Sequence, residues 1–278
     1  MAYPESVLFM RKLEGKVAIV TGGASGIGEA TASHFADHGA RAVVIADVQD
    51  EKGRMVVESI GTQRCSYVRC DVSDEEQVKA MVDWTIQKYG QLDIMFSNAG
   101  IISKSKQTIL DLDFSQFDRL IQVNLRAMAA CIKHAARVMV EKRVRGTIVC
   151  TASVVATRGA MQRTDYAMSK HGVIGLVRSA SGQLGEYGIR VNSVSPSAIA
   201  TPLTCEAYQT TMKDLEKIYE NSFVPLTSLK GIVLTLKHVA DAVLFLASDD
   251  STFMTGHDLV VDGGLNGLPV QTETKEIR

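Results

Sequence analysis

Ser153, Tyr166 and Lys170 are the residues whose types and spacing could do chemistry together. Tyr166 and Lys170 stand four apart in Tyr166-Ala-Met-Ser-Lys170, a spacing that on a helix puts both side chains on one face, one turn apart. A free tyrosine titrates near ~10 and is a poor base at neutral pH. A fixed ammonium beside it, helped by a second cation, favours the phenolate and lowers that value. A phenol that exchanges a proton, an ammonium that tunes it and a hydroxyl that steadies the reacting group could converge on one substrate oxygen. His171, next to Lys170, points off that face and is read as structural.

The elements that must position these groups follow from the pattern around them. Short β-branched runs alternate with longer amphipathic stretches, as in repeated βαβ units around a parallel sheet. Strands are expected at Val17–Val20, Ala42–Ala46, Ser66–Cys70, Leu92–Phe96, Thr147–Cys150, Arg190–Val194 and Asp258–Val261. Helices are expected at Gly28–His38, Glu51–Ser59, Glu75–Tyr89, Phe114–Val140, Tyr166–Tyr187 and His238–Ser248. The alternation runs unbroken from Leu13 to Leu265, which predicts one domain over 13–267, preceded by an N-terminal extension over 1–12 and followed by a mobile tail over 268–278. The long stretch 202–237 carries Leu203, Tyr208, Met212, Leu215, Ile218, Tyr219 and Phe223 and reads as a lid at the rim of the sheet.

After the first strand comes Thr21-Gly22-Gly23-Ala24-Ser25-Gly26-Ile27-Gly28, opening directly into a helical pattern. Glycines there let the backbone approach a pyrophosphate, while unpaired N–H groups and the helix dipole favour its charge. Asp47 closes the second strand, where a carboxylate can accept from both hydroxyls of an adenosine ribose. A 2′-phosphate about 4 Å from that carboxylate is repelled by roughly 4 kcal/mol per unit charge at an effective dielectric near ~20. Neither Ala24, Ser25 nor Val48 offers a cation to offset this, so the site favours NAD over NADP. An oxidised nicotinamide ring is then the second cation beside Tyr166. Cys70-Asp71-Val72 and Asn98-Ala99-Gly100 end the third and fourth strands, on the rim where ligands of open parallel sheets lie.

Composition narrows the partners. With 278 residues, 46% of them hydrophobic, the chain can bury a large core, and a formal net charge of −1 gives no bulk attraction to nucleic acid or to an anionic membrane. No segment reaches the ~18 consecutive apolar residues of a membrane span. Met1 to Lys12 has only the short apolar run Val7-Leu8-Phe9-Met10 and does not make a secretory signal. Five scattered cysteines read as reduced thiols, without metal-ligand spacing, and a cytoplasmic setting is expected.

With these segments in place the chain resembles the short-chain dehydrogenase/reductase family from roughly Leu13 to Leu265. The resemblance rests on the Thr21–Gly28 turn, Asp71, Asn98-Ala99-Gly100, Asn124 in Val-Asn-Leu, Ser153, Tyr166-x3-Lys170 and the Pro196-to-Thr201 segment. It implies a Rossmann-type α/β fold, a doubly wound seven-stranded parallel sheet in the order 3-2-1-4-5-6-7. It also implies Tyr166 as acid/base, Lys170 lowering its pKa and holding the nicotinamide ribose, Ser153 bonding the substrate oxygen, and Asn124 binding a water that links Lys170 to solvent. For NAD it implies Gly22, Ser25, Gly26, Ile27 and Gly28 at the pyrophosphate and Asp47 and Val48 at the adenosine ribose. Asp71 and Val72 follow at the adenine, Asn98, Ala99 and Gly100 towards the nicotinamide ribose, and Ile199 and Thr201 at the carboxamide. The family usually has Pro-Gly where Pro196 is followed by Ser197, so a side chain borders the site here.

The substrate pocket is expected among Ser153, Val154, Val155, Met161, Tyr166 and Ser197, with Ile101, Ile102 and the lid around them, a largely apolar enclosure. Arg158 and Arg163 could instead anchor a carboxylate. Whole-chain similarity is to the plant branch of the family, including dehydrogenases of secoisolariciresinol, xanthoxin, borneol and nepetalactol. That implies NAD-dependent oxidation of a secondary alcohol or lactol, with a cyclic monoterpenoid favoured over a lignan or abscisic-acid-pathway alcohol, and a homotetramer. Two other readings keep the cofactor site but lose redox turnover: a cyclase or isomerase of a terpenoid enol, and a binding module.

Overall fold

The computed structural model describes residues 11–267. The expected N-terminal extension, apart from Arg11 and Lys12, and the expected tail over 268–278 lie outside the described residues.

Seven parallel strands form one sheet in the order β3-β2-β1-β4-β5-β6-β7. They are β1 (Val17–Thr21), β2 (Ala42–Asp47), β3 (Cys65–Arg69), β4 (Ile94–Ser97), β5 (Thr147–Thr151), β6 (Arg190–Pro196) and β7 (Asp258–Val261). Every residue of β1, β2, β4 and β5 is buried, so these strands read as continuous apolar runs, because helices cover both faces of a parallel sheet. Side chains alternate between two cores. Ile19, Val44, Met95 and Ile148 face one, with Met81, Cys131 and Val173; Val20, Ile45, Phe96 and Val149 face the other, with Phe35, Val243 and Leu246.

The helices are α1 (Gly26–Asp37), α2 (Asp50–Ile60), α3 (Glu75–Tyr89), α4 (Phe114–Ile121), α5 (Ala127–Glu141), α6 (Thr164–Leu184), α7 (Pro202–Tyr208), α8 (Met212–Ser222) and α9 (Leu236–Ala247). β1 pairs with β2 on one side and β4 on the other, so the strand order reverses between β1 and β4 and opens a crevice at their carboxyl ends. Glycine-rich chain after β1 delivers α1 to that crevice.

Three boundaries differ from the sequence pattern in ways that matter. The helix expected over Phe114–Val140 is interrupted by one π-helical turn, Gln122–Arg126, with Asn124 at its centre and fully buried. Such single turns recur at functional sites because they redirect one side chain without ending the helix. The fourth strand begins at Ile94, two residues later than expected, because Asp93 turns its carboxylate to accept from Val17 N at 2.7 Å. The stretch 202–237 folds as α7, α8 and a 3-10 turn at Val224–Leu226.

Candidate active site

The site is assembled at the carboxyl ends of β1, β4, β5 and β6, and Thr151, the last residue of β5, joins its halves. Lys170 Nζ donates to the Thr151 carbonyl at 2.7 Å, while the Thr151 hydroxyl donates to Asn98 Oδ1 at 3.0 Å. Asn98 Nδ2 in turn donates to the Thr21 carbonyl at 3.1 Å, and Thr21 Oγ1 accepts from Asn98 N at 2.9 Å and Ala99 N at 3.1 Å. A continuous polar chain thus runs from the glycine turn to the lysine. Thr151 and Thr21 carry it, and neither stands out in sequence because each is a strand-end threonine whose partners lie far along the chain.

Tyr166 and Lys170 share one face of α6, with Lys170 Nζ 5.5 Å from the centre of the Tyr166 ring. Ser153 caps the 3-10 turn Val154–Ala156 and its hydroxyl hydrogen-bonds the Tyr166 side chain. Burial is the largest influence on the phenol and pushes it up to about 12; the Ser153 hydrogen bond opposes this and the Tyr208 phenol adds to it. Burial also brings the Lys170 ammonium down to about 8, with Cys150 opposing. The lowering of Tyr166 by Lys170 expected from their spacing is not seen: within the protein's own groups, desolvation disfavours charge on both.

Asn124 Oδ1 accepts from Ile101 N at 2.8 Å, and its Nδ2 donates to the Ile101 carbonyl at 2.9 Å and to Ser169 Oγ at 3.4 Å. The π turn aims it at the β4 loop and at the buried side of α6. That loop is tied to the start of α6 a second time. Asp165, fully buried, accepts from Tyr166 N at 2.8 Å and from the Ser103 hydroxyl. Asp165 and Ser103 were not singled out in sequence, since an acid beside a tyrosine reads as an ordinary helix-start residue.

The cofactor half is built from close approaches. A Cβ on Gly22 would come 2.9 Å from Ala99 Cα, and one on Gly28 2.1 Å from the Gly22 carbonyl oxygen. Ser25 occupies the N-cap of α1 without making a side-chain cap, so its hydroxyl and the first N–H groups of α1, at Gly26, Ile27 and Gly28, keep free capacity for a phosphate. Gly26 lies against Thr201, 3.5 Å from its Cβ, which brings the loop after β6 to the glycine turn. Asp47 is buried and accepts from Ala24 N at 3.1 Å and Gln49 N at 3.0 Å, so it also pins the turn. Val48 beside it is half-exposed. Arg69, at the end of β3 beside Asp47, donates to the Val48 carbonyl and to the Asp50 carboxylate, both at 2.9 Å.

Asp71 is exposed and folds its carboxylate onto Ser73 N at 2.9 Å and Ser73 Oγ at 2.7 Å, and Val72 turns into the core. Gly100 lies near Asn124 Oδ1. Thr201 caps α7 in a reciprocal box with Thr204, and Ile199 is buried in the core. These residues fit NAD: a close-packed glycine turn in which a Cβ at Gly22 or Gly28 would clash, an uncapped helix start, and a strand-end carboxylate.

Among the expected pocket residues, Ser153, Val154, Val155 and Ser197 are half-buried along the cleft. Ser197 N donates to the Val261 carbonyl at 3.0 Å, continuing the ladder between β6 and β7. Met161 is corrected: it is 96% exposed, because the tight turn closed by Arg163 N on the Ala160 carbonyl throws it outward. The carboxylate-anchor reading also loses its support. Arg158 donates to the Leu265 carbonyl at 2.8 Å, and Arg163 to the Ser103 and Ser105 carbonyls, each at 2.6 Å. His171 bonds the Ala167 carbonyl within its own helix at 2.8 Å. No group of three or more metal-ligating side chains, and no helix long and apolar enough to cross a membrane, occurs among the described residues.

Comparison with known proteins agrees with this geometry. A family model described as enoyl-(acyl carrier protein) reductase matches residues 22–266. The chain is 61% identical over 260 residues to (-)-isopiperitenol/(-)-carveol dehydrogenase, mitochondrial, of Mentha piperita, covering 94% of this chain and 97% of that protein. It is 62% identical over 262 residues to a (+)-cis,trans-nepetalactol synthase of Nepeta racemosa, covering 93% and 96%. A crystal structure of a short-chain type dehydrogenase/reductase from Mycobacterium marinum superposes with a TM-score of 0.84 at 34% identity, covering 95% of this chain and all of that one. With its strand-end polar chain, its Ser153-Tyr166-Lys170 alignment and these matches along nearly its whole length, the chain belongs to the short-chain dehydrogenase/reductase family.

Proposed function

We propose that this protein oxidises a secondary alcohol or lactol on a medium-sized, weakly polar cyclic monoterpenoid with NAD. The observation that carries the reading is the convergence of Ser153 and Lys170 on Tyr166 at the end of the polar chain from the glycine turn. The terpenoid class is supported by the dehydrogenase and synthase names of relatives at about three-fifths identity.

NAD, held by the glycine turn, Asp47, Asn98, Tyr166, Lys170 and the Ile199–Thr201 segment, supplies a hydride acceptor and a positive ring. Tyr166 takes the proton of the substrate hydroxyl, and Ser153 steadies the same oxygen as it becomes a carbonyl. General-base assistance of this kind is worth typically ~10²–10⁴-fold. Lys170 holds the proton balance of Tyr166. Asn124 keeps the β4 loop and α6 in register and bonds the water through which the proton leaves. The stretch 202–237 acts as the lid that excludes solvent, the assembly is a homotetramer, and the five unpaired cysteines suit a reducing compartment such as the cytoplasm.

The test is a panel of monoterpenoid, lignan and steroid alcohols screened for NADH. Cyclic monoterpenols and lactols should turn over best, and Tyr166→Phe should lose at least about a hundredfold in rate while binding NAD nearly as before. A panel without NADH from any alcohol overturns the reading.

One other reading has a specific observation behind it, the nepetalactol synthases among the relatives: cyclisation of an enol without net redox. Product formation with no stoichiometric NADH would select it.

A further inference from the structure

The main chain of Tyr166 is held from both sides. Its N–H donates to Asp165 Oδ1 at 2.8 Å, and its carbonyl accepts from the Ser169 hydroxyl at 2.8 Å. Each of these partners leads to the loop after β4. Ser169 Oγ accepts from Asn124 Nδ2 at 3.4 Å, and Asn124 grips both the N–H and the carbonyl of Ile101. On the other side, Asp165 Oδ2 accepts from the Ser103 hydroxyl. The bonds form a ring from Ile101 through Asn124, Ser169, Tyr166 and Asp165 to Ser103, and half-buried Ile102 spans its two ends.

Asp165 is the member of this ring that the proton transfer does not use. It is fully buried and takes no ion pair among the described residues. An acid so placed is costly unless hydrogen bonds and a favourable dipole support it, and the start of α6 supplies both. Arg163 stands at the N-cap of α6 but has no acceptor to offer; its guanidinium serves the Ser103 and Ser105 carbonyls instead. The Tyr166 N–H, in the first turn and so without a helical partner, falls to Asp165. A parallel bridge between Gln107 and Arg163 lays the same loop along the chain entering α6: Gln107 N donates to the Gln162 carbonyl and Thr164 N to the Gln107 carbonyl, each at 3.0 Å.

We propose that Asp165 is a positioning residue for the reaction at Tyr166. Through Ser103 and the Tyr166 N–H it keeps the pocket wall Ile101–Ser103 and the first turn of α6 in one register, so that a substrate resting on the wall presents its carbinol to the phenol. The task is acceptance of two hydrogen bonds, and the charge is incidental to it. This rests on the dehydrogenase reading of Tyr166. A shift of about 1 Å between wall and phenol is enough to cost about a hundredfold in rate.

The test uses Asp165→Ala, Asp165→Asn, Ser103→Ala and the Asp165→Ala/Ser103→Ala pair, with a monocyclic monoterpene secondary alcohol as substrate and rates expressed per NAD-binding site. In Asp165→Ala kcat should fall about a hundredfold, more than KM for the alcohol changes, with NAD affinity held. Asp165→Asn keeps the acceptor for Tyr166 N and can donate to the Ser103 oxygen, so it should regain about tenfold of that loss. Ser103→Ala leaves the acid in place and should lose about tenfold, which keeps the test open if Asp165→Ala does not fold. The double variant should lose no more than Asp165→Ala alone, since both changes break one bond. Hydrogen exchange at the Tyr166 amide should quicken in Asp165→Ala and return towards wild type in Asp165→Asn. Undiminished kcat in Asp165→Ala or Ser103→Ala, an Asn variant no better than Ala, or additive losses in the pair overturn the positioning role while wild type still turns over. Wild type that forms no NADH from any alcohol overturns the dehydrogenase reading, and the positioning role with it.

Discussion

Lys170 Nζ donates at 2.7 Å to the carbonyl of Thr151, the residue whose hydroxyl also holds Asn98. One strand-end residue therefore fixes both the Lys170 ammonium beside Tyr166 and the Asn98 amide at the end of β4. The lysine is held where its charge costs most, fully inside the protein, and burial brings it down to about 8.

Activity should therefore depend on pH through both partners. On the proposed mechanism oxidation uses the phenolate of Tyr166, which burial pushes up to about 12, so kcat/KM should rise with pH. Lys170→Met removes the ammonium 5.5 Å from the centre of the Tyr166 ring. Its rising limb should move to higher pH, and its rate near neutrality should fall by about a hundredfold, the low end of general-base assistance. Initial rates across neutral and mildly alkaline buffers check this. A profile that superposes on wild type would show that Lys170 has no part in the proton balance.

What was legible in sequence is local. Tyr166 and Lys170 declare themselves because four residues make one helical turn, and Asp47 because it closes a β-branched run. Long-range groups were not legible: Thr151, Ser103 and Asp165 matter only through partners brought in from other strands and loops. The π turn at Asn124 was invisible because one extra residue in a turn scarcely disturbs the apolar periodicity on either side. Met161 misled because an apolar residue near the site was read as wall, and backbone turn geometry alone decided its direction.

Asp47 has two roles that a cofactor switch should separate. On the proposed NAD reading its carboxylate repels a 2′-phosphate, and it also accepts from Ala24 N in the glycine turn. Asp47→Ser combined with Val48→Arg removes the repulsion and adds a cation at a half-exposed position. Preference should move towards NADP by at least about a hundredfold, given roughly 4 kcal/mol per unit charge at close range. Affinity for NAD should fall as the turn loosens. Fluorescence titration with both dinucleotides measures each effect, and a preference that does not move would remove Asp47 as the discriminating residue.

Glycines in this chain predict opposite outcomes by position. At Gly28 a methyl group would meet the Gly22 carbonyl oxygen at 2.1 Å, and Gly22 cannot retreat because its N–H bonds the Ala46 carbonyl at 2.8 Å. Gly28→Ala should cost about 1–3 kcal/mol and weaken NAD binding sharply. Gly182, exposed inside α6, has nothing within 4 Å of the added atom. Gly182→Ala should stabilise by about 0.5–1 kcal/mol through helix propensity and a less flexible unfolded chain. Urea midpoints decide both, and a Gly28→Ala variant with unchanged NAD affinity would contradict the close packing of the turn.

Stability should fall steeply in mild alkali, for reasons that lie in the core. Cys65, Cys70, Cys131 and Cys150 are each at most 2% exposed. Burial holds their thiols at about 12, 12, 11 and 12, against 9.0 for an exposed thiol. Folded values raised in this way leave their stabilisation intact below pH 9.0 and lose it as pH climbs towards 11 to 12, because the unfolded chain gives up these protons first. Lys170 runs the other way: between about 8 and 10.5 the unfolded chain binds the extra proton, so stability rises there. Between about 8 and 9.0 the lysine acts before the thiols do, and the curve rises gently. Above pH 9.0 four thiols outweigh one lysine, each net proton contributing roughly 1.4 kcal/mol per pH unit. Cys65→Ala should make the alkaline limb shallower by one proton while lowering stability at neutral pH. Urea unfolding at a series of pH values measures the slope, and a limb that stays level above pH 9.0 would mean that these thiols reach solvent.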